Sequence, residues 1–347
     1  MFYERALESQ METLGNEHLE TARTKLGLAK LNRLLDQNDE AEVLYNDCFR
    51  VFALQLGSKA LDTTQAIAGL GIVRWRQSRF PEAKSLLERG IEGYKGHLGS
   101  THPETLVATE ALGLVYKELA EYDKAINLIQ EAIDSNTEQF GEEHPETVRN
   151  MQNLALCMIK LKRLDEAAQL QQHVLEIGER QLGSLHPTIL RALHNMAYIH
   201  FLQDKCADAQ PLCELAITGR EKILGKDNLE TFGSVELLGA IYFRRGLNDD
   251  AQRILRRAIR GYRSQNGGAS GGILPLFRAL DWLAQVCEAQ GDLAQAIRHY
   301  EEALEGHSRI LGSKHPTTRQ ILRGLQKLLE KSGSTGKAKG LRRKYDT

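Results

Sequence analysis

The chain has 347 residues, of which 41% are apolar and 26% charged, with a formal net charge of -1. That balance describes a folded, water-soluble protein and gives no overall attraction to nucleic acid or anionic lipid. It has no stretch of about 20 apolar residues to cross a bilayer, and charged residues stand where a secretory leader would be apolar, so the expected location is the cytoplasm.

In chain order, residues 1–13 come first, where Tyr3 and Ala6 fall 42 positions before the packing residues of a later helix. They read as half a repeat, its second helix only. From residue 14 an apolar residue followed by glycine recurs every 42 residues: Leu14-Gly15, Leu56-Gly57, Leu98-Gly99, Phe140-Gly141, Leu182-Gly183 and Leu224-Gly225. The period next falls on Asn266-Gly267, and Leu311-Gly312 arrives three residues late, after the glycine-rich run 266–272, which reads as an enlarged loop. About eight helical-hairpin repeats are therefore expected over residues 14–347, starting near 14, 56, 98, 140, 182, 224, 266 and 311.

A second column supports the register: Ala41, Ala83, Ala125, Ala167, Ala209, Ala251, Ala296 and Ala338 occupy one position in all eight. At an alanine frequency of roughly one in ten such agreement is not chance, and it implies a close helix crossing. Within a repeat, glycine ends one helix and a His-Pro pair (His102-Pro103, His144-Pro145) opens the next, where the proline's missing N–H costs nothing. An apolar helical stripe follows, as in Leu106, Leu112, Val115 and Leu119. A short polar break then leads to a second stripe through Ala125, Leu128, Ile129, Ala132 and Ile133. Neither helix buries its stripe alone, so the hairpins must stack. The last hairpin is unusually cationic, with Lys337, Lys339, Arg342, Arg343 and Lys344, which suits a capping repeat with a polar outer face.

Leu154-Ala155, Ala167 and Val174 match the small and large packing positions of tetratricopeptide repeats. The 42-residue unit with Leu-Gly-x-x-His-Pro-x-Thr resembles kinesin light chains and, equally, the repeat arrays that end fungal and bacterial signalling ATPases of NB-ARC or NACHT type. The resemblance implies an all-α, right-handed superhelical solenoid of antiparallel helix pairs. It implies a non-enzymatic adaptor that binds peptide segments of partner proteins in its concave groove; the alternative is a sensor or autoinhibitory module of a larger ATPase whose catalytic domain lies outside this chain. The heptad segment that joins light chains to kinesin heavy chains is absent from this sequence, so a motor partner does not follow.

The first helices of stacked hairpins line the groove, and the residues beside their packing positions are the candidate peptide contacts. These are Arg149, Gln152, Asn153 and Lys160, then Arg191, His194, Asn195, Tyr198 and Phe201, then Phe243 and Arg244. An asparagine amide both donates to and accepts from a peptide backbone. Asn153 and Asn195 match the family's groove position, which other repeats fill with Gly27, Gly69, Ala111, Leu237 or Trp282. A second candidate surface for an acidic partner is Arg253, Arg256, Arg257, Arg260 and Arg263, at helical steps of three and four.

No cofactor and no catalytic or metal site is expected. Gly267 to Gly272 lacks the Lys-Ser/Thr of a phosphate loop, and no His-Glu-x-x-His occurs. His18, His102, His144, His186 and His315 stand at one loop position in different repeats and cannot converge, so they are expected to shape helix starts. The five cysteines form no Cys-x-x-Cys pair and read as small buried apolar residues.

Overall fold

The computed structural model describes residues 2–265 and 274–345; the glycine-rich run expected as an enlarged loop lies outside them. The chain divides into two compact units, 1–170 and 171–347. The first begins with α1 (Phe2–Thr13), followed by first helices α2 (Leu19–Leu34), α4 (Leu61–Arg76), α6 (Pro103–Glu118) and α8 (Pro145–Lys160). They alternate with second helices α3 (Asn38–Gln55), α5 (Phe80–Leu98) and α7 (Tyr122–Phe140), and the unit ends within α9 (Leu164–Gln181). The second unit has first helices α10 (Pro187–Leu202), α12 (Leu229–Arg244), α14 (Leu274–Ala289) and α16 (Pro316–Lys331). Its second helices are α11 (Cys206–Ile223), α13 (Asn248–Gln265), α15 (Leu293–Leu311) and α17 (Thr335–Tyr345). Consecutive helices pack on one another from α1 to α8 in one unit and from α10 to α17 in the other, and first helices of successive repeats also touch, α2 on α4 and α4 on α6 in one unit, α10 on α12 and α12 on α14 in the other. Within each unit the first helices thus form one layer, here called the inner one, and the second helices another.

The repeated loop motif has a physical reason for each residue. Its glycine takes a left-handed φ of +89° at Gly57 and Gly141, a conformation that costs other L-residues about 1–2 kcal/mol. The histidine two residues before the first helical turn closes is the N-cap: Nδ1 of His18, His102, His144, His186 and His315 accepts the N–H two residues on at 3.2–3.3 Å. Asn228 does the same with its amide oxygen at 2.8 Å. The threonine completes the loop, since Thr21, Thr63, Thr105, Thr147 and Thr231 donate their hydroxyls to the preceding glycine carbonyl at 2.8–3.1 Å. Motif residues thereby satisfy helix-end groups that would otherwise be orphaned.

The alanine column lies in the core of the repeats. All eight alanines are buried, seven of them fully. The turn between first and second helix also recurs, with a left-handed residue at Asp36, Ser78, Ala120, Lys162 and Asp204, and glycine at Gly246, Gly291 and Gly333. Ala120, at φ +60° and exposed, carries the strain without a side chain that offsets it. Ala120→Gly is therefore expected to raise the urea unfolding midpoint, by a stabilisation of about 1 kcal/mol; an unchanged midpoint would mean that the turn relaxes at no cost.

Candidate functional site

In the first unit the candidate residues lie on α8. Arg149 is exposed and bridges Glu146, one turn away, and Glu110 of α6, the latter at 2.6 Å. Glu110 lies mostly buried, and its carboxyl is held above the usual range by desolvation, opposed by the Arg149 charge. Gln152 is buried, Asn153 is half-buried and Lys160 is exposed in the last turn.

In the second unit α10, α12 and α14 bring together more than the candidate list contained. Phe201 of α10 meets Trp282 of α14 edge-on with ring centroids 5.9 Å apart, and Phe243 of α12 leans on the same indole at 6.2 Å. The Arg244 guanidinium lies 5.5 Å over the Phe201 ring and is 3.4 Å from Asp204. Tyr198 is half-buried beside this group. Asn195, expected to face a ligand, is 5% exposed, and its amide nitrogen has no hydrogen-bond partner. Arg191 is exposed one turn earlier.

Behind the aromatics is an ion pair that the candidate list missed. Glu236 of α12, 2% exposed, accepts both Nε and an Nη of Arg278 from α14, the Nη at 3.0 Å, and the Tyr262 hydroxyl of α13 at 3.1 Å. Arg149–Glu110 repeats this rung in the first unit: an arginine at one helical position reaches a carboxylate on the first helix of the preceding repeat. That recurrence, about one period apart in sequence, was the available signal.

His194 Nδ1 is 3.1 Å from Ser234 Oγ, which also accepts from Arg220 at 2.8 Å. Burial, together with the charges of Arg220 and Arg278, pushes His194 down to about 3. Between its unfolded value near 6.5 and that folded value the unfolded chain binds the extra proton, so stability falls as pH drops through this window. The slope attributable to this group approaches about 1.4 kcal/mol per pH unit at most. His194→Gln is expected to flatten the stability profile between pH 6.5 and pH 4, followed by urea denaturation; an unaltered profile would assign the acid sensitivity elsewhere.

The arginine face of α13 is largely neutralised in place. Arg253 pairs with Asp250 at 2.8 Å, Arg257 with Glu221, and Arg263 with Glu302 at 2.7 Å, while Arg256 donates to Gln295 at 3.2 Å. Arg260 donates to the Arg256 carbonyl at 3.4 Å. All five cysteines are buried, and desolvation pushes the thiols of Cys48 and Cys213 up to about 12, which leaves them unreactive near neutrality. Among the described residues, no three or more His, Cys, Asp or Glu side chains group to hold a metal ion, and no described helix is long and apolar enough to cross a membrane.

Stacked helical hairpins with an inner layer of polar and aromatic side chains define an α-solenoid repeat protein. The profile of the tetratricopeptide repeat matches residues 62–138, 104–180, 188–264 and 276–341, and the chain belongs to that family. No curated protein matches the sequence. Among solved structures, an array of nearly identical TPR-like repeats from a Podosopora anserina kinesin light chain is 23% identical, with a TM-score of 0.51 over 59% of this chain and 97% of that one. The quorum sensor NprR from B. thuringiensis, in its apo form, superposes with a TM-score of 0.72 at 12% identity, over 93% of this chain and 86% of that one. A Rap protein complexed with competence and sporulation factor gives 0.55 at 14% identity, over 92% and 100%. These likenesses are of fold.

Proposed function

We propose that this chain is a non-catalytic interaction module that takes extended peptide segments of partner proteins on the inner layer of its first helices. Tetratricopeptide repeats in general mediate protein–protein interaction. The observation that carries the reading is the cluster of Phe201, Phe243 and Trp282, with Arg244 over one ring. It joins three successive first helices and offers a ligand a rigid apolar platform with a charge beside it. The unpaired Asn195 amide nitrogen beneath the same layer is a donor that a bound carbonyl reaches if the layer opens slightly. Arg191, His194 and Tyr198 flank this face. On α8 of the first unit Arg149, Gln152, Asn153 and Lys160 form the corresponding set. The Rap protein complexed with competence and sporulation factor supports the reading by analogy of fold.

Selection of random displayed peptides on the wild-type chain tests this. Enriched peptides are expected to bind Phe243→Ala/Trp282→Ala at least about tenfold more weakly, with helix content unchanged by circular dichroism. Failure to enrich any peptide, or equal binding by both proteins, would overturn the proposal.

A further inference from the structure

The charge of the chain is unevenly divided. Residues 312–347 contain ten lysines and arginines against two acidic residues, whereas residues 1–311 contain 35 against 44. The near-zero net charge therefore conceals a last repeat of about +8 attached to a body of about -9. In most of the chain arginines are tied to neighbours, as on α13. The last hairpin differs.

On α16, Arg323, Lys327 and Lys331 follow at steps of four and are all exposed, and none has an ion pair among the described residues. They occupy the register positions that hold His194, Tyr198 and Leu202 on α10. Lys337 and Lys339 of α17 are likewise exposed and without an ion pair among the described residues. The hairpin beneath is ordered: Leu325, Leu328, Leu329, Ala338 and Tyr345 are buried, and Arg319 donates to the Tyr345 carbonyl at 3.1 Å.

We infer that this last hairpin is a docking surface for an extended, Asp/Glu-rich segment of a partner protein. Four residues of α-helix rise about 6.0 Å, and alternate side chains on one face of an extended peptide are about 6.8 Å apart. The row Arg323, Lys327, Lys331 thus meets successive carboxylates of an extended acidic strand nearly in register. Phosphates along a duplex strand advance about 3.4 Å each and turn away with the helix, which fits the row less well. Binding to bare nucleotides stacks bases on exposed aromatics, and the hairpin's one aromatic, Tyr345, is buried. Stable seating on a membrane surface calls for exposed apolar residues, and among the described residues the large exposed apolar side chains end at Ile310, before this hairpin. The α16 row takes the register positions of a first helix, as the aromatic cluster does, but acts by charge alone, so it stands or falls separately.

The test is fluorescence anisotropy of a labelled twelve-residue oligoglutamate with the full chain at low salt. Wild type is expected to bind, with affinity falling as salt rises through the physiological range. Arg323→Glu/Lys327→Glu/Lys331→Glu should weaken binding at least about tenfold, whereas Arg253→Glu/Arg260→Glu on α13 and Trp282→Ala in the aromatic cluster should leave it within about twofold. Lys327→Glu alone, with helicity checked, gives an intermediate loss should the triple variant fold poorly. No binding at low salt, equal binding by the reversed variants, or tighter binding of a DNA duplex or of vesicles rich in anionic lipid would overturn the inference. Loss of displayed-peptide binding in Trp282→Ala with oligoglutamate binding retained separates failure of one reading from failure of the other.

Discussion

Gly261→Ala is expected to lower the stability of the second unit by about 2 kcal/mol, although alanine is the better helix former by about 1 kcal/mol. Gly261 lies inside α13 with the Phe232 ring lying directly against it, so close that an added methyl would overlap the ring. That ring is 2% exposed and is held edge-on by Tyr262 at 5.7 Å, so it has little room to swing away. Overpacking of this kind costs about 1–3 kcal/mol, and here its upper end outweighs the gain in propensity. Gly219 makes the same approach to Leu190, but a leucine rotamer yields more readily than a wedged ring, so Gly219→Ala should cost less. Urea denaturation of both variants checks the order. A Gly261→Ala midpoint at or above wild type would show that Phe232 moves freely and that helix propensity decides.

Arg278→Ala should cost about 2 kcal/mol through what it leaves behind. Glu236 is almost wholly buried and would keep only the Tyr262 hydroxyl as a partner. Stranding a buried charge typically costs about 3–5 kcal/mol. The Arg278 side chain is itself about half exposed, so water enters the vacated space and lowers the cost below that range, to about 2 kcal/mol. Adding Glu236→Leu to Arg278→Ala should recover part of the stability, since the pair contributes less than its breaking costs. If the single variant is as stable as wild type at neutral pH, or if the double variant is the less stable of the two, this account of the ion pair fails.

Much of the repeat could be read from the order of residues because it rests on groups that act locally. A histidine N-cap needs only an N–H two residues on, and a threonine closes onto a glycine carbonyl six residues back; both bonds lie within one loop and recur wherever the motif does. The alanine column was visible because one steric condition, two helices crossing with no room for more than a methyl, acts on every repeat in turn. The candidate site was less visible. Asn195 has the same sequence spacing as Asn153, yet one is buried and the other half-buried. Helical periodicity gives the direction in which a side chain leaves its helix and not the bulk of the neighbours it meets.

The five arginines of α13 make the same point with charge. Their spacing places them on one helical face, but only the positions of Glu221 on α11 and Glu302 on α15 reveal that much of that charge is already paired. Trp282 was noted only as a departure from asparagine in its column, and its contact with Phe201 arises because α10 and α14 approach across α12. Sequence alone determined the hairpin, its period, its caps and the small residue at each crossing, since these depend on contacts within some forty residues. The tertiary structure decided which inner-layer groups are buried, which charges are neutralised and where three aromatics meet, because those outcomes depend on how successive helices stack and how much solvent the stacking excludes.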